Sequence, residues 1–306
     1  MIFIVGPTAV GKTKLTVELA KALNGEVIYA DSMQIYKEMS IGTAKPSKAE
    51  QEGVPHYLID EVSPEEDFSV AEYENRAKKL IQDILKRGKV PIVSGGTGLY
   101  INALLYDMDY GNAISNNELR DTLQQESAIY GKDYVYQKLQ QVDPKAAKKI
   151  HPNNLVKVIR ALEINHETGE NLGDFSEDLL PTTEFQPILI GLNRKRKDLY
   201  ERINERVDLM IEQGLVKEVK ALLSKGYSKD LKAFKGLGYK EIIRYLNQEN
   251  TLQDAIRILK KNTRRYAKRQ ITWFNRYDFI KWFLVDRYEN DETLLKEVLD
   301  YIGNEQ

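Results

Sequence analysis

The chain has 306 residues, with 45 lysines and arginines against 46 aspartates and glutamates and a formal charge of -1 at pH 7, so no global basic excess announces nucleic acid. The absence of cysteine excludes disulfides, thiolate metal sites and cysteine nucleophiles, and His56, His151 and His166 lie too far apart for local metal-ligand spacing. The length accommodates one large domain plus a smaller one; with no apolar run that spans a membrane and no signal peptide before the first strand, a soluble cytoplasmic protein is expected.

Ile2 to Val5 predict a strand, and Leu15, Leu19, Ala22 and Leu23 recur at helical spacing up to an Asn24-Gly25 stop. Between them Gly6-Pro7-Thr8-Ala9-Val10-Gly11-Lys12-Thr13 has the G-x-x-x-x-G-K-T spacing of a phosphate-binding loop. The two glycines permit backbone turns closed to other residues, and the loop N–H groups then point at phosphate oxygens with help from the following helix. Lys12 neutralises the terminal phosphate and the Thr13 hydroxyl holds Mg²⁺ in such a loop. A di- or triphosphate is therefore the expected ligand.

A second strand, Glu26 to Ala30, ends on Asp31-Ser32-Met33-Gln34. Val54 to Ile59 reads as strand or extended loop, and helical periodicity runs from Val70 through Ile84 to a Gly88 stop. Val90-Pro-Ile-Val93 reads as a strand whose proline suggests an edge or first-residue position, followed at once by Ser94-Gly95-Gly96-Thr97-Gly98. Strands alternating with helices predict a doubly wound, mostly parallel α/β sheet, with ligands beyond the carboxyl ends of the strands. That puts the phosphate loop, Asp31 and the Thr97 turn around one crevice. By position alone Asp31 is a loop cap, a Mg²⁺-shell carboxylate or a general base. Thr97 either shapes its turn or donates to a departing phosphate oxygen.

From about 109 to 187 the sequence is polar, helical in pattern and poor in strands, which predicts an inserted helical lobe within a core of residues 1–108 and 188–306. A strand follows at Ile188 to Leu192. Arg202 and Arg206, one turn apart, either close over a diphosphate or form solvated pairs with Glu201 and Glu205. Residues 255–276 contain no acid but carry Arg257, Lys260, Lys261, Arg264, Arg265, Lys268, Arg269 and Arg276, interleaved with Tyr266, Trp273 and Phe274. A helix would show one basic stripe there. The missing acids favour phosphate contact over an ordinary solvated face.

Several of these segments together resemble the tRNA dimethylallyltransferases. They are the phosphate loop, Asp31-Ser-Met-Gln34, Ile41-Gly-Thr-Ala-Lys-Pro46, Gly95-Gly-Thr-Gly-Leu-Tyr100, His151-Pro-Asn-Asn154, Arg160-Ala-Leu-Glu163 and Tyr266-Ala-Lys-Arg-Gln-Ile-Thr-Trp273. The resemblance spans most of the chain and is similar to the bacterial form, which lacks a zinc finger. It implies a P-loop NTPase-like core, Mg²⁺, and transfer of a dimethylallyl group from its diphosphate to N6 of adenosine 37 in the anticodon stem-loop of tRNA. It favours Asp31 as the base and gives Thr97 the bridging oxygen of the leaving diphosphate. The same resemblance implies tRNA contacts from Asp31, Ser32, Met33, Gln34 and Thr97, and from Arg120 and the run Val156-Lys157-Val158-Ile159-Arg160. Further contacts are implied for Gly236-Leu237-Gly238-Tyr239-Lys240, a flexible turn with an aromatic and a cation, and for Arg264, Arg265, Lys268, Arg269, Gln270 and Trp273. Two positions depart from the family pattern. Lys157 stands where arginine is usual, which keeps charge but loses the bidentate fork, and Tyr57 stands where a histidine is frequent.

Rival functions are a small-molecule P-loop kinase, an adenylate isopentenyltransferase acting on free nucleotide, and an RNA-binding GTPase. The first two leave the basic run idle, and no guanine-specifying N-K-x-D pattern is present for the third. A monomer without membrane attachment is expected.

Overall fold

Runs of β-branched and aromatic residues that are apolar on both faces can only be satisfied by a sheet covered on both sides. The computed structural model, which describes residues 1–108, 116–169, 171 and 180–305, contains such a sheet. It comprises β1 (Ile2–Val5), β2 (Gly25–Ala30), β3 (His56–Tyr57) and β4 (Val90–Gly95), together with β7 (Ile188–Asn193) and β8 (Lys281–Leu284). Every pairing is parallel and the strand order is β3-β2-β4-β1-β7-β8. The chain leaves β1 toward one edge and later returns to the other, which makes this a doubly wound α/β sheet. The helix Lys12–Ala22 buries Leu15, Val17, Leu19 and Ala20 against it, and Asn24 in left-handed conformation ends that helix. One continuous core joins Ile2, Ile4, Leu19, Ile92, Ile190 and Phe283 with Val298 of the helix Asp291–Asn304.

Three local readings need adjustment. The strand that contains Pro91 is interior, between β2 and β1. Its proline is tolerated because the register with β1 starts one residue later, at Ile92, so Pro91 faces only β2. Of Val54 to Ile59, only His56 and Tyr57 form a strand, and they make the outer strand β3. β8, a four-residue strand with only Phe283 fully buried, is too short to announce itself by alternation.

Tyr106–Thr182 form a second compact unit, and Met1–Leu105 with Thr183–Gln306 form the first. The smaller unit starts three residues before and ends five before the bounds expected from composition (106 against 109, 182 against 187). The reason is a two-residue antiparallel ribbon, β5 (Tyr106–Asp107) with β6 (Leu180–Pro181), which has no readable period. Within the expected lobe, residues 109–115, 170 and 172–179 lie outside the described residues. Helices Asn117–Tyr130, Lys132–Val142, Pro144–Lys149 and Leu155–Thr168 pack Leu123, Val135, Leu139, Ala147, Val158 and Ala161 into their own core. Asn116 and Asp143 cap two of these helices by accepting backbone N–H groups.

Glu163 lies inside this unit with 0% exposure. Its carboxylate accepts from Arg120 at 2.7 Å, from Arg160 at 2.6 Å and from the Asn116 N–H at 2.8 Å. Burial alone would raise this carboxyl; the two guanidinium groups and the amide more than offset it and hold it below its ordinary value. A depressed carboxyl stabilises the fold above its unfolded value and loses that contribution as pH falls through the folded one. Glu163→Ala should therefore destabilise the unit by about 3 kcal/mol at neutral pH, the lower end for a broken buried pair because both arginines keep some contact with water. In thermal melts followed by circular dichroism, the gap between wild type and variant should narrow as pH falls below about 5. A gap that stays constant with pH would assign the loss to packing.

Candidate active site at the carboxyl ends of the strands

Parallel strands end on one side of a sheet, and here those ends open into a cavity of about 910 Å³. Thr8 to Lys14 line one wall, Tyr29, Asp31 and Gln34 another, Ser94 and Gly95 a third, and Arg202, Arg206, Tyr266 and Gln270 close it. The phosphate loop takes its form from Gly6, at φ +145° with the Leu192 carbonyl oxygen 2.4 Å from where a Cβ would sit, and from Gly11 at φ +112°. A buried hydrogen bond of 2.8 Å between Thr16 and Ser94 fastens the loop helix to the end of β4.

Lys12 folds over this loop and donates to the carbonyls of Gly6 (3.0 Å) and Pro7 (2.9 Å). Burial pulls its pKa down to about 8, Arg206 pushes the same way, and Asp31 opposes them. Burial also lowers Arg206, with Asp31 again opposing. Arg202 donates to the Ala9 carbonyl at 3.1 Å, and Arg206 reaches the Thr8 hydroxyl at 3.5 Å and the Ala44 carbonyl at 3.4 Å. Both arginines thus turn to the phosphate loop instead of pairing with Glu201 or Glu205. Two cations beside a ring of backbone amides stabilise a polyvalent anion.

Of its expected roles, Asp31 shows the cap: its Oδ1 accepts the N–H groups of Met33 (2.9 Å) and Gln34 (3.3 Å), while Oδ2 has no hydrogen-bond partner among the described residues. Thr97 Oγ1 accepts the Ser32 N–H at 3.0 Å, makes a long contact to Ser32 Oγ at 3.4 Å and interacts with the Tyr266 hydroxyl. Gln34 donates to the carbonyls of Thr43 (3.1 Å) and Ala44 (3.2 Å) while its Oε1 stays unpaired. The loop that supplies those carbonyls is anchored by Glu218, which accepts from the N–H groups of Ser40, Ile41 and Gly42 and from the Tyr239 hydroxyl at 2.7 Å.

Several residues expected to meet RNA have other duties. Tyr239 is fully buried and opens the helix Tyr239–Leu246, its ring filling the space left by Gly42. Gly236 abuts Met33, so only Lys240 of that turn is exposed. Val158 and Ile159 belong to the core of the smaller unit, whereas Val156 and Lys157 are exposed. Arg120 and Arg160 hold Glu163 and are not free cations. The basic run does form one helix, Leu252–Phe274, but it is not uniformly presented. Arg264 donates to Asn204 at 2.5 Å and lies over the Tyr200 ring, and Lys260 pairs with Asp208 at 2.6 Å. Acids absent from the run itself are supplied by the neighbouring helix Arg196–Glu212. Arg265, Lys268 and Arg269 remain exposed. Trp273 packs against Gly98 and donates to Tyr277, and Gln270 is buried between two backbone segments.

Arg194 was not anticipated. It donates to the Val10 carbonyl at 3.1 Å and is pinned by Asp286 at 2.6 Å, bracing the phosphate loop from the end of β7. Only its place just after a strand could have hinted at this. Among the described residues no group of three or more histidines or acids forms a metal cluster. Thr13 and Asp31 line the cavity together, a sparse oxygen set that fits Mg²⁺, which takes most of its ligands from phosphate and water.

The IPP transferase family profile matches residues 34–277. The chain is 58% identical over 306 residues to the tRNA dimethylallyltransferase of Alkaliphilus metalliredigens (strain QYMF), covering 99% of this chain and 98% of that protein. It is 54% identical over 302 residues to that of Clostridioides difficile (strain 630), covering 99% and 97%. Among solved structures, the tRNA isopentenylpyrophosphate transferase from Bacillus halodurans is similar with a TM-score of 0.75 and 45% identity, over 99% of this chain and 95% of the other. A eukaryotic dimethylallyltransferase acting on tRNA is similar with a TM-score of 0.82 and 31% identity, over 99% and 79%.

The placement of Arg206 yields a direct expectation. Arg206→Ala should weaken binding of inorganic diphosphate by roughly 10- to 100-fold, the loss of a charge-assisted contact, in isothermal titration calorimetry with the melting temperature little changed. Unaltered affinity would leave Arg206 as a brace for the loop alone.

Proposed function

This chain belongs to the IPP transferase family of tRNA dimethylallyltransferases, and we propose that it transfers the dimethylallyl group of dimethylallyl diphosphate to N6 of adenosine 37 in tRNA. The observation that carries this reading is the meeting, in one cavity, of a cationic phosphate loop with a carboxylate oxygen that has no hydrogen-bond partner among the described residues. The relatives lend no support to a kinase or to an enzyme of free adenylate.

An exocyclic adenine amine is a weak nucleophile, while the C1 of an allylic diphosphate carries positive charge as its bond to oxygen breaks. N6 attacks C1, the C1–O bond breaks, the N6 proton passes to Asp31 Oδ2, and diphosphate leaves. Thr97, whose oxygen is occupied as an acceptor by the Ser32 N–H, turns its proton toward the bridging oxygen, which gains charge only in the transition state. Lys12, Arg202, Arg206 and the amides of the phosphate loop hold the remaining oxygens. Mg²⁺ on the Thr13 hydroxyl would neutralise part of the charge of the diphosphate. The target adenine has to leave its stack to arrive here. Ser32 and the unpaired Oε1 of Gln34 then read its edge. The exposed cations Arg265, Lys268, Arg269 and Lys240, with Lys157 of the smaller unit, are the phosphate contacts we assign to the anticodon stem-loop. With all these groups supplied by one chain, we take the working form to be a cytoplasmic monomer.

Purified protein offered labelled dimethylallyl diphosphate should modify unmodified tRNA in the absence of ATP and GTP, and should leave AMP unmodified. A strict need for either triphosphate would return the kinase or GTPase reading. Asp31→Ala should bind tRNA normally yet lose turnover by about 10²-fold or more, as expected for a missing general base; near-normal single-turnover rates would remove Asp31 from that role.

Binding to RNA makes a second, independent prediction. The logarithm of tRNA affinity should fall linearly with that of salt concentration, and replacing two of Arg265, Lys268 and Arg269 by alanine should flatten the slope by about 1.4, about 0.7 for each loop phosphate contact. Diphosphate affinity should hardly move. An unchanged slope would mark this stripe as a solvated face.

A further inference from the structure

We propose that Gln270 is a positioning residue for the leaving group: its side-chain amide fixes the phosphate loop against the Gly95-Gly96-Thr97 turn, so that the Thr97 hydroxyl meets the bridging oxygen. The proposal rests on the transferase reading and assigns a task to a residue that sequence alone places on the RNA. Gln270 is 5% exposed. Its Oε1 accepts the Thr8 N–H at 2.9 Å and its Nε2 donates to the Gly96 carbonyl at 2.9 Å. These are backbone groups of the loop after β1 and the turn after the adjacent β4, and one planar amide of fixed width links them.

The fit is close. A Cβ on Gly96 would lie 2.1 Å from Gln270 Nε2, so the turn approaches the amide as only glycine allows. Thr97, the next residue, is held at its own N–H by the Ala30 carbonyl (3.1 Å) and at its hydroxyl by the Ser32 N–H (3.0 Å). Gln270 adds a fixed point on the Gly96 carbonyl. No other residue type does both jobs: glutamate can accept from Thr8 but sets an oxygen against the Gly96 carbonyl. Tyr266, one helical turn earlier, shares this inner face and interacts with both Thr97 and Gln270. Arg265, Lys268 and Arg269 are exposed on the same helix, so a helix proposed to meet RNA on its outer side also sets the reacting groups on its inner side.

The test compares Gln270→Ala and Gln270→Glu with Thr97→Ala and with the double variant Thr97→Ala/Gln270→Ala. For Gln270→Ala, the single-turnover rate at saturating tRNA should fall on the order of 10²-fold, as for a misplacement of about 1 Å at the reacting groups, while tRNA affinity stays within about twofold of wild type. Because Gln270 acts through Thr97, the double variant should be no slower than the slower single one. Gln270→Glu conserves volume and keeps the acceptor but loses the donor to the Gly96 carbonyl, so at a temperature below its own melting transition it should share the slow rate. If the losses multiply in the double variant, or if Gln270→Glu reacts at the wild-type rate, the proposal is overturned. It also fails if saturating tRNA restores the rate of Gln270→Ala, since Gln270 would then be an RNA contact. A wild type that modifies no tRNA would sink the transferase reading itself, whereas a competent wild type with an equally competent Gln270→Ala variant would sink only this inference.

Discussion

Two half-buried cations, Lys12 and Arg206, line one cavity, where burial lowers the pKa of both, Arg206 disfavours the charge of Lys12, and Asp31 opposes these effects. Placing like charges together in a low dielectric is unfavourable unless an anion joins them. The arrangement persists because the surrounding fold over-determines it. Lys12 emerges from a loop whose backbone Gly6 and Gly11 shape, and Arg206 is held by the Thr8 hydroxyl and the Ala44 carbonyl. Such a site has little to reorganise when a diphosphate arrives, which is the condition for strong electrostatic stabilisation of a leaving group.

The loops that form the site have little regular structure of their own, and side chains from the second half of the chain hold them. Glu218 gathers three successive amides of the Ser40 to Gly42 segment, Arg194 with Asp286 braces Val10, and Gln270 bridges Thr8 and Gly96. Each is a polar group whose partners are backbone atoms far away in sequence. Residues separated by well over a hundred positions therefore set the geometry around Asp31 and Thr97. Substitutions in the helix Leu252–Phe274 that touch no substrate can reach the chemistry by this route.

The sheet was legible because β1, β2 and β4 are continuous apolar runs that end in glycine or acid, and the phosphate loop was legible because its spacing is dictated by phosphate geometry. The short strands β3, β5, β6 and β8 were poorly marked or unmarked, since two to four residues carry no period. Among the site residues, Asp31 and Thr97 could be found from their place after strands. The buried partners of Tyr239 and Gln270, read from resemblance as tRNA contacts, were not legible, because a polar or amphipathic side chain gives no sign, by itself, that it packs inside the fold. The internal pairing of Arg120 and Arg160 was hidden in the same way. Their charge is visible in sequence, but Glu163, which absorbs it, lies in the same buried cluster only once the helices have packed.

This internal use of charge also bears on how a chain with a formal charge of -1 can be proposed to act on RNA and a diphosphate. Glu163, Glu26, Glu218 and Asp286 spend their charge on arginines, lysines and backbone amides inside the fold. Charges held at such short range offset one another in part, so they contribute less to the field that a distant polyanion meets than an unpaired surface cation does. Outward on the Leu252–Phe274 helix are Lys261, Arg265, Lys268 and Arg269, on a stretch from 255 to 276 that holds no acid. Net charge counts both classes equally and is blind to the difference. The long-range attraction of such a chain for RNA is governed by which cations lack an internal partner, and that is a property of packing, not of composition.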